Sequence, residues 1–82
     1  MNVDKKLLPS ISMLAALDAT ARKGSFTRAA EELSVTHGAI SRQIQALESQ
    51  LGVSLCVRSA RGIRLTEIGE KYAAEVHSVL TT

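Results

Sequence analysis

The fold of this chain is decided by residues 26–51, which read FTRAAEEL at 26–33, SVT at 34–36 and HGAISRQIQALESQL at 37–51. This stretch predicts a helix, a turn of about three residues and a second helix. Ala29 and Ala30 leave only methyl groups between the two backbones, so the helices can cross closely. Thr36 can cap the second helix, whose first turns carry small and polar residues where a core helix would carry leucines. Such a helix can pack by one face and present its N-terminal end to the edges of DNA bases.

The helix after the turn carries one apolar stripe. The stripe consists of Ile40, Ile44, Leu47 and Leu51, at positions i, i+4, i+7 and i+11, and this spacing predicts a face buried in the core. The residues between them point elsewhere, namely His37, Gly38, Ser41, Arg42, Gln45 and Ser49. Gly52 is placed to end this helix.

A further helix is predicted before the two helices of residues 26–51. Ser10 or Ser12 can cap it, and Gly24 is a natural C-terminal stop. Its apolar positions keep helical spacing at Ile11, Leu14, Leu17 and Ala21. Residues 1–9 are expected to be a frayed arm, and Ser25 or Thr27 is expected to open the helix that follows Gly24.

Beyond Gly52 the apolar period changes from helical to alternating. Apolar residues occupy every second position of two short runs, at Leu55, Val57, Ile63 and Leu65. The intervening Ser59-Ala60-Arg61-Gly62 has serine and glycine where a type I turn favours them. We therefore predict a small β-hairpin, which after a helix-turn-helix is a wing, and then a final helix capped by Thr66. The predicted fold class is mainly α with a small β-hairpin, a winged helix-turn-helix.

Length, composition and charge limit the functional classes to which this chain can belong. Eighty-two residues make one domain at most. The net charge of +2 and the pI of about 9.0 are weak indicators of nucleic-acid binding. Residues 36–66, however, carry four arginines and one acid, a local excess of +3.

Cys56 is the single cysteine, which excludes an intramolecular disulfide and favours a reduced intracellular setting. We expect it to be a small core residue. No run is long and apolar enough for a membrane span, and the start lacks the apolar core of a signal peptide.

Many residues in order resemble the DNA-binding domain of LysR-type transcriptional regulators. The resemblance runs from about Leu14 to Glu70 and rests on Gly24–Leu33, Val35–Ile44, Leu47-Glu48, Leu51-Gly52-Val53 and Arg61–Thr66. It implies a winged helix-turn-helix domain at residues 1–65 and a linker helix at 66–82. The recognition helix is 36–51 and the wing 55–65. The chain departs from the family at Cys56, where a bulky aromatic is usual, and at His37 and Gly38.

The resemblance also implies partners. These are double-stranded DNA carrying an inverted-repeat operator and a second copy of the chain, paired through the linker helix. The expected dimer contacts are Ile68, Tyr72, Ala73, Val76, Val79 and Leu80; as an alternative, Tyr72 and the Val76 stripe could fold back on the first helix. A small-molecule effector would bind only a further C-terminal domain, which this chain is expected to lack. The expected setting is cytoplasmic and nucleoid-associated.

Base-reading positions of the family fall on His37, Gly38, Ser41 and Arg42, and its minor-groove arginine falls on Arg61. The N-terminal end of the second helix can donate to phosphates. The complete set of expected DNA contacts is Ser25, Thr27, Arg28, Thr36, His37, Gly38, Ser41, Arg42, Gln45, Arg58, Arg61 and Arg64.

Two other functional classes would require different sequence features. A winged-helix module that binds protein would need an apolar or charge-matched recognition face, and it is kept as the alternative. An enzyme is rejected, because no spacing pairs a nucleophile with a base and no phosphate loop or metal-ligand set occurs. No cofactor and no metal are expected.

Overall fold

A computed structural model describes residues 9–82, and the arm expected at the N-terminus lies almost wholly outside them. The described elements are α1 (Ile11–Lys23), α2 (Phe26–Leu33), α3 (His37–Leu51), β1 (Cys56–Ser59), β2 (Gly62–Leu65) and α4 (Glu67–Leu80). The two strands form one antiparallel sheet. This order confirms the predicted winged helix-turn-helix class. None of the helices in this part of the chain is long and apolar enough to cross a membrane.

Each helix begins at a side-chain hydroxyl that accepts a hydrogen bond from a first-turn amide. Ser10 caps α1 through the Met13 amide at 3.1 Å, and Ser25 caps α2 through the Arg28 amide at 3.2 Å. The open alternatives are thereby settled in favour of Ser10 and Ser25. The two remaining caps are the predicted Thr36 on α3 and Thr66 on α4. Because such caps satisfy otherwise unpaired amides, the helix boundaries follow from local sequence.

The corner between α2 and α3 depends on Ser34. This residue has φ 57°, in the left-handed region, and its amide donates to the carbonyls of Ala30 and Glu31. The Val35 amide also donates to Ala30 O, at 3.0 Å. The chain therefore turns as it would at a C-terminal glycine, with a serine that accepts some backbone strain to fix the angle between the two helices.

The core has two parts that share α1 and α3. The first fills the space between α1, α2 and α3 with Ala16, Ala19, Phe26, Ala29, Ala30, Ile40 and Ile44. The second joins α1 and α3 to the segment before β1 and to α4 through Leu17, Leu47, Leu55 and Ala73. The alanines of α2 are buried, as the predicted close helix crossing requires. The second part fixes the wing and α4 on the helix-turn-helix.

The core prediction is wrong at Leu51, and the apolar Ile11 is exposed as well. Leu51 is 36% exposed and Ile11 is 70% exposed, although both fall on the apolar stripe of their helix. Leu51 is the last residue of α3 and Ile11 the first of α1. Helical periodicity identifies the buried face, but these two residues lie at helix ends, where the neighbouring elements no longer cover that face.

The wing is attached to both flanking helices by hydrogen bonds. Glu48 of α3 accepts from the amides of Leu55 at 2.7 Å and Cys56 at 3.1 Å through one carboxylate oxygen. Thr66, which caps α4, donates its hydroxyl to Ser54 O at 2.8 Å and its amide to Leu55 O at 2.9 Å. These contacts hold the base of the hairpin in a fixed position relative to α3.

The outer helix α4 packs partly on its own domain, and two of the residues predicted as dimer contacts lie on the packed side. Ala73 is 4% exposed and Val76 is 5% exposed in the single chain. The rest of the protomer therefore covers these two side chains.

An ion-pair network centred on Asp18 connects three helices. The carboxylate of Asp18 in α1 is buried and accepts from Arg22 Nε at 3.0 Å, and its other oxygen lies 2.7 Å from His77 Nδ1 of α4. Arg22 also bonds to Glu32 of α2, with Nη1 2.9 Å from Oε1. The hydrogen bond from Arg22 lowers the pKa of the Glu32 carboxyl. The network thus ties both α2 and α4 to α1.

Cys56 is half-buried against both parts of the core, as expected of a small core residue. Burial, followed by the negative charge of Glu48, raises the pKa of its thiol to about 11. Folding favours the protonated thiol, so this contribution to stability is present at neutral pH and is lost as the pH rises from 9 towards 11.

We expect a disulfide reagent at pH 8 to label Cys56 in the native protein about tenfold more slowly than in the urea-unfolded chain. The thiolate fraction is roughly a hundredfold smaller in the native protein, whereas the more basic thiolate is roughly tenfold more nucleophilic. Equal labelling rates would contradict this assignment.

Candidate nucleic-acid interface

The start of α3 is an open, polar surface. Thr36, His37, Arg42 and Gln45 are exposed, whereas Ile40, Ile44 and Leu47 are buried on the opposite side of the helix. The Thr36 hydroxyl accepts from the Ala39 amide at 3.1 Å and caps this end. The predicted orientation of the helix is therefore confirmed, with Arg42 directed away from the core.

Gly38 is closely associated with Arg42. A Cβ atom placed on Gly38 would lie 3.1 Å from Nη1 of Arg42. The guanidinium therefore lies back along the first turn of α3, over the position that a side chain at 38 would occupy. Gly38 is predicted to allow close approach of the backbone to DNA, and in the structure it also makes room for the arginine.

The side chain of Ser41 is less accessible than the prediction of a base contact implies. It is half-buried, and its hydroxyl accepts a hydrogen bond from a terminal guanidinium nitrogen of Arg58 on β1. The contact joins the recognition helix to the wing across 17 residues of sequence. No spacing or composition pattern in the chain indicated it.

Phe26 lies between two of the candidate residues. Its buried ring makes an edge contact with His37, with ring centroids 5.6 Å apart, and the Arg58 guanidinium carbon lies 5.2 Å from its centroid. The cationic and aromatic groups of three elements thus meet at one place. They border an open groove of about 360 Å³, whose other lining residues are Gly24, Ser25, Thr27, Ser59, Arg61, Gly62 and Ile63.

The N-terminus of α2 opens onto the same groove. Ser25 is half-buried and its hydroxyl is engaged as the helix cap, whereas Thr27 and Arg28 are exposed in the first turn. Exposed hydroxyl and guanidinium groups at the positive end of a helix are suited to an anion. The geometry therefore favours Thr27 as the group that faces the groove, with Ser25 acting as the cap. Arg28 lies apart from the groove, in a depression that it shares with Lys23, Glu31 and Glu32.

The three wing arginines divide between two faces of the hairpin. Arg58 pairs with Ile63, and Ile63 packs on the core, so this pair belongs to the inner face. Arg64 pairs with Val57 on the other face and lines a separate groove with residues of α1 and α4. Arg61 occupies the exposed two-residue turn between the strands. The structure therefore brings Arg58 and Arg61 to the groove beside α3, and Arg64 lies apart from them.

The charge of this surface is positive because its one acid is engaged elsewhere. Residues 36–66 contain Glu48 as their single acid, and its carboxylate accepts two backbone hydrogen bonds at the base of the wing. The arginines beside α3 keep exposed side chains. A cationic groove flanked by an exposed polar helix end has the chemistry for phosphates and for base edges.

Comparison with known proteins identifies the family. Residues 11–70 match the family described as bacterial regulatory helix-turn-helix protein, lysR family. The chain is 53% identical over 62 residues to the HTH-type transcriptional regulator TrpI of Pseudomonas aeruginosa, which covers 76% of this chain and 21% of that protein. It is 46% identical over 76 residues to the glycine cleavage system transcriptional activator of Escherichia coli strain K12, covering 93% of this chain and 25% of the activator.

A solved structure agrees with these relatives. The fold matches the crystal structure of a CbnR DBD–DNA complex with a TM-score of 0.83 and 39% identity, over 88% of this chain and 83% of that one. The chain spans a quarter or less of the length of the two curated relatives. It belongs to the lysR family of bacterial regulatory helix-turn-helix proteins.

Proposed function

We propose that this chain is the sequence-specific, double-stranded DNA-binding domain of a LysR-type transcription regulator. The observation that carries the proposal is the exposed polar start of α3 beside a groove bordered by Arg58 and Arg61. The solved DNA complex of a structural relative supports it. The setting proposed is cytoplasmic, at the nucleoid, and no catalytic role is part of the proposal.

The first turns of α3 enter the major groove in this proposal. Arg42 reads a guanine, because its planar guanidinium matches the two acceptors that guanine presents there. His37, Gly38, Ser41 and Gln45 lie along the same edge of the bases, and Thr36 holds the helix end. Arg61 at the tip of the wing approaches the adjacent minor groove, where a narrow groove attracts guanidinium groups. Thr27 and Arg28 bind backbone phosphates.

The outer face of α4 is proposed as the dimer interface. Because Ala73 and Val76 are covered within the protomer, the proposed contacts are Ile68, Tyr72, Val79 and Leu80. Ile68 is 53% exposed and Val79 is 71% exposed in the single chain, and both are large apolar residues. Two-fold pairing would present two recognition helices to an inverted repeat, at about one helical turn or a multiple of it. Residues 1–65 are the proposed DNA-binding unit and 66–82 the linker helix; any small-molecule effector would act through a separate C-terminal domain.

Val79→Glu should weaken the dimer at least tenfold, because it places a charge in an apolar contact that buries valine. Sedimentation equilibrium over a range of protein concentrations measures the effect. Ser78→Glu is the matched control, since it adds the same charge at a neighbouring exposed position of α4. A dimer of unchanged strength in Val79→Glu would place the interface elsewhere.

Selection from random duplexes tests the proposed function. We expect enrichment of sequences with two-fold symmetry, and an affinity for the selected duplex that falls steeply as salt rises, because phosphate contacts release bound cations. Retained DNA with no common sequence would contradict sequence-specific binding. No feature of the described interface favours the protein-binding alternative, since the exposed residues of α3 near its start are polar or cationic.

A further inference from the structure

We propose that Arg58 is a positioning residue that orients Ser41 and sets the wing against the recognition helix, and that it is not a phosphate anchor. This inference rests on the proposed function and deepens it. It assigns a task to one wing arginine that differs from the tasks of the other two.

The location of Arg58 differs from that of an ordinary surface arginine. It is on β1 opposite Ile63, and Ile63 packs on the core formed by α1, α2 and α3. The inner face of the hairpin therefore directs the Arg58 side chain towards the helices. The side chain remains exposed on its outer side, so the guanidinium lies at the surface between the wing and α3.

Two contacts with different elements hold the guanidinium. Its carbon lies 5.2 Å from the centroid of Phe26, the first residue of α2, whose ring is buried. A terminal nitrogen donates to the hydroxyl of Ser41 in α3. A planar guanidinium can stack on a ring and donate from its edge at the same time, whereas the compact ammonium of lysine cannot reproduce both contacts.

The hydrogen bond also determines what Ser41 can offer to a base. A serine hydroxyl has one proton and two acceptor lone pairs. Among the hydrogen bonds of residues 9–82, Ser41 takes part as the acceptor from Arg58, which leaves the hydroxyl proton to point away from the guanidinium. The free proton lets Ser41 donate to the major-groove acceptors of guanine, to thymine O4 or to adenine N7, while one lone pair remains to accept from an amino group.

His37 belongs to the same cluster. Its ring meets the edge of the Phe26 ring that Arg58 stacks on. If Arg58 were displaced, Ser41 would lose its hydrogen bond. The Phe26 ring, which contacts His37, would lose its cation. The wing and the recognition helix are coupled through one side chain.

Arg58→Lys tests the inference, since it keeps the charge and the exposed position. With the duplex obtained by selection, we expect Arg58→Lys to lose roughly threefold to tenfold of its preference at one base-pair position, the position that Ser41→Ala also affects. The double variant Arg58→Lys with Ser41→Ala should lose no more than Ser41→Ala alone. Val57→Thr is the control, because this exposed neighbour of Arg58 lies on the other face of the hairpin and should leave that preference unchanged.

A different pattern of binding losses would identify Arg58 as a phosphate anchor. A phosphate anchor would retain base preference and nearly full affinity in Arg58→Lys, and Arg58→Ala would then weaken all duplexes alike and reduce the salt slope by about one. That pattern would overturn the inference.

Amide spectra of the free protein separate this inference from the proposed function. Arg58→Lys should move the Ser41 and Phe26 signals without DNA, and Val57→Thr should not. If the wild-type protein selects no DNA sequence, the proposed function fails while these shifts still report on the contact. Unmoved Ser41 and Phe26 signals would overturn the Arg58 contact itself.

Discussion

Gly69→Ala is expected to destabilise the domain by at least about 2 kcal/mol, because it forces two backbones apart. An alanine Cβ at this position in the first turn of α4 would lie 2.1 Å from the carbonyl oxygen of Leu55 and 2.9 Å from its carbon. A backbone cannot move aside as a flexible side chain can. Leu55 is fully buried, and its carbonyl also accepts the Thr66 amide, so displacement would disturb the core and the attachment of the wing together.

The direction of the change in stability distinguishes a steric conflict at Gly69 from the ordinary effect of alanine in a helix. In an unobstructed helix, alanine is more favourable than glycine by up to about 1 kcal/mol. Gly38→Ala is the matched control: it is also in the first turn of a helix, and the nearest obstruction to its Cβ is the flexible end of Arg42. Urea unfolding should show Gly38→Ala unchanged or slightly more stable and Gly69→Ala clearly less stable. Equal stability of Gly69→Ala and wild type would refute the close packing of α4 on Leu55.

Arg42→Ala is expected to reduce the preference for the selected operator over random DNA by roughly 5-fold to 150-fold. This range corresponds to the loss of one bidentate contact with a base, worth roughly 1–3 kcal/mol of discrimination. Arg42 is exposed on the face of α3 opposite the buried stripe, and its guanidinium lies along the first turn, near the end proposed to enter the major groove. Competition binding against operator and random duplexes measures the change.

Arg28→Ala provides the contrast for Arg42. It removes the same charge from the start of α2, where a phosphate contact is proposed, and it should weaken operator and random DNA alike while lowering the salt slope by about one. Equal losses on the two kinds of duplex in Arg42→Ala would remove Arg42 from the base-reading set.

Local features of the fold were predictable from sequence. Thr36 and Thr66 cap the helices that they were predicted to cap, and Gly24 and Gly52 end α1 and α3 in the left-handed conformation. Such signals act within one turn of a helix and do not depend on distant residues. The inward stripe of α3 was also predictable at Ile40, because an amphipathic helix has one possible core face.

Features that depend on neighbouring elements were not predictable. The apolar pattern of α4 gave one stripe, yet the structure buries Val76 and exposes Val79, because only part of the helix lies against the rest of the domain. Leu51 was misplaced for the same reason. Contacts between residues far apart in sequence, such as Arg58 with Ser41, left no signal in spacing or composition. The candidate site could thus be located from sequence, but the contact between its wing and its recognition helix could not be predicted.

We propose that the start of α3, together with the wing, is the surface that meets DNA. The most direct test is a titration of the isotope-labelled protein with the selected duplex, followed by amide chemical-shift changes residue by residue. We expect the largest changes at residues 36–45 and at the turn around Arg61, with smaller ones at the start of α2. Changes confined to the outer face of α4, with the signals of residues 36–45 unmoved at saturation, would contradict it.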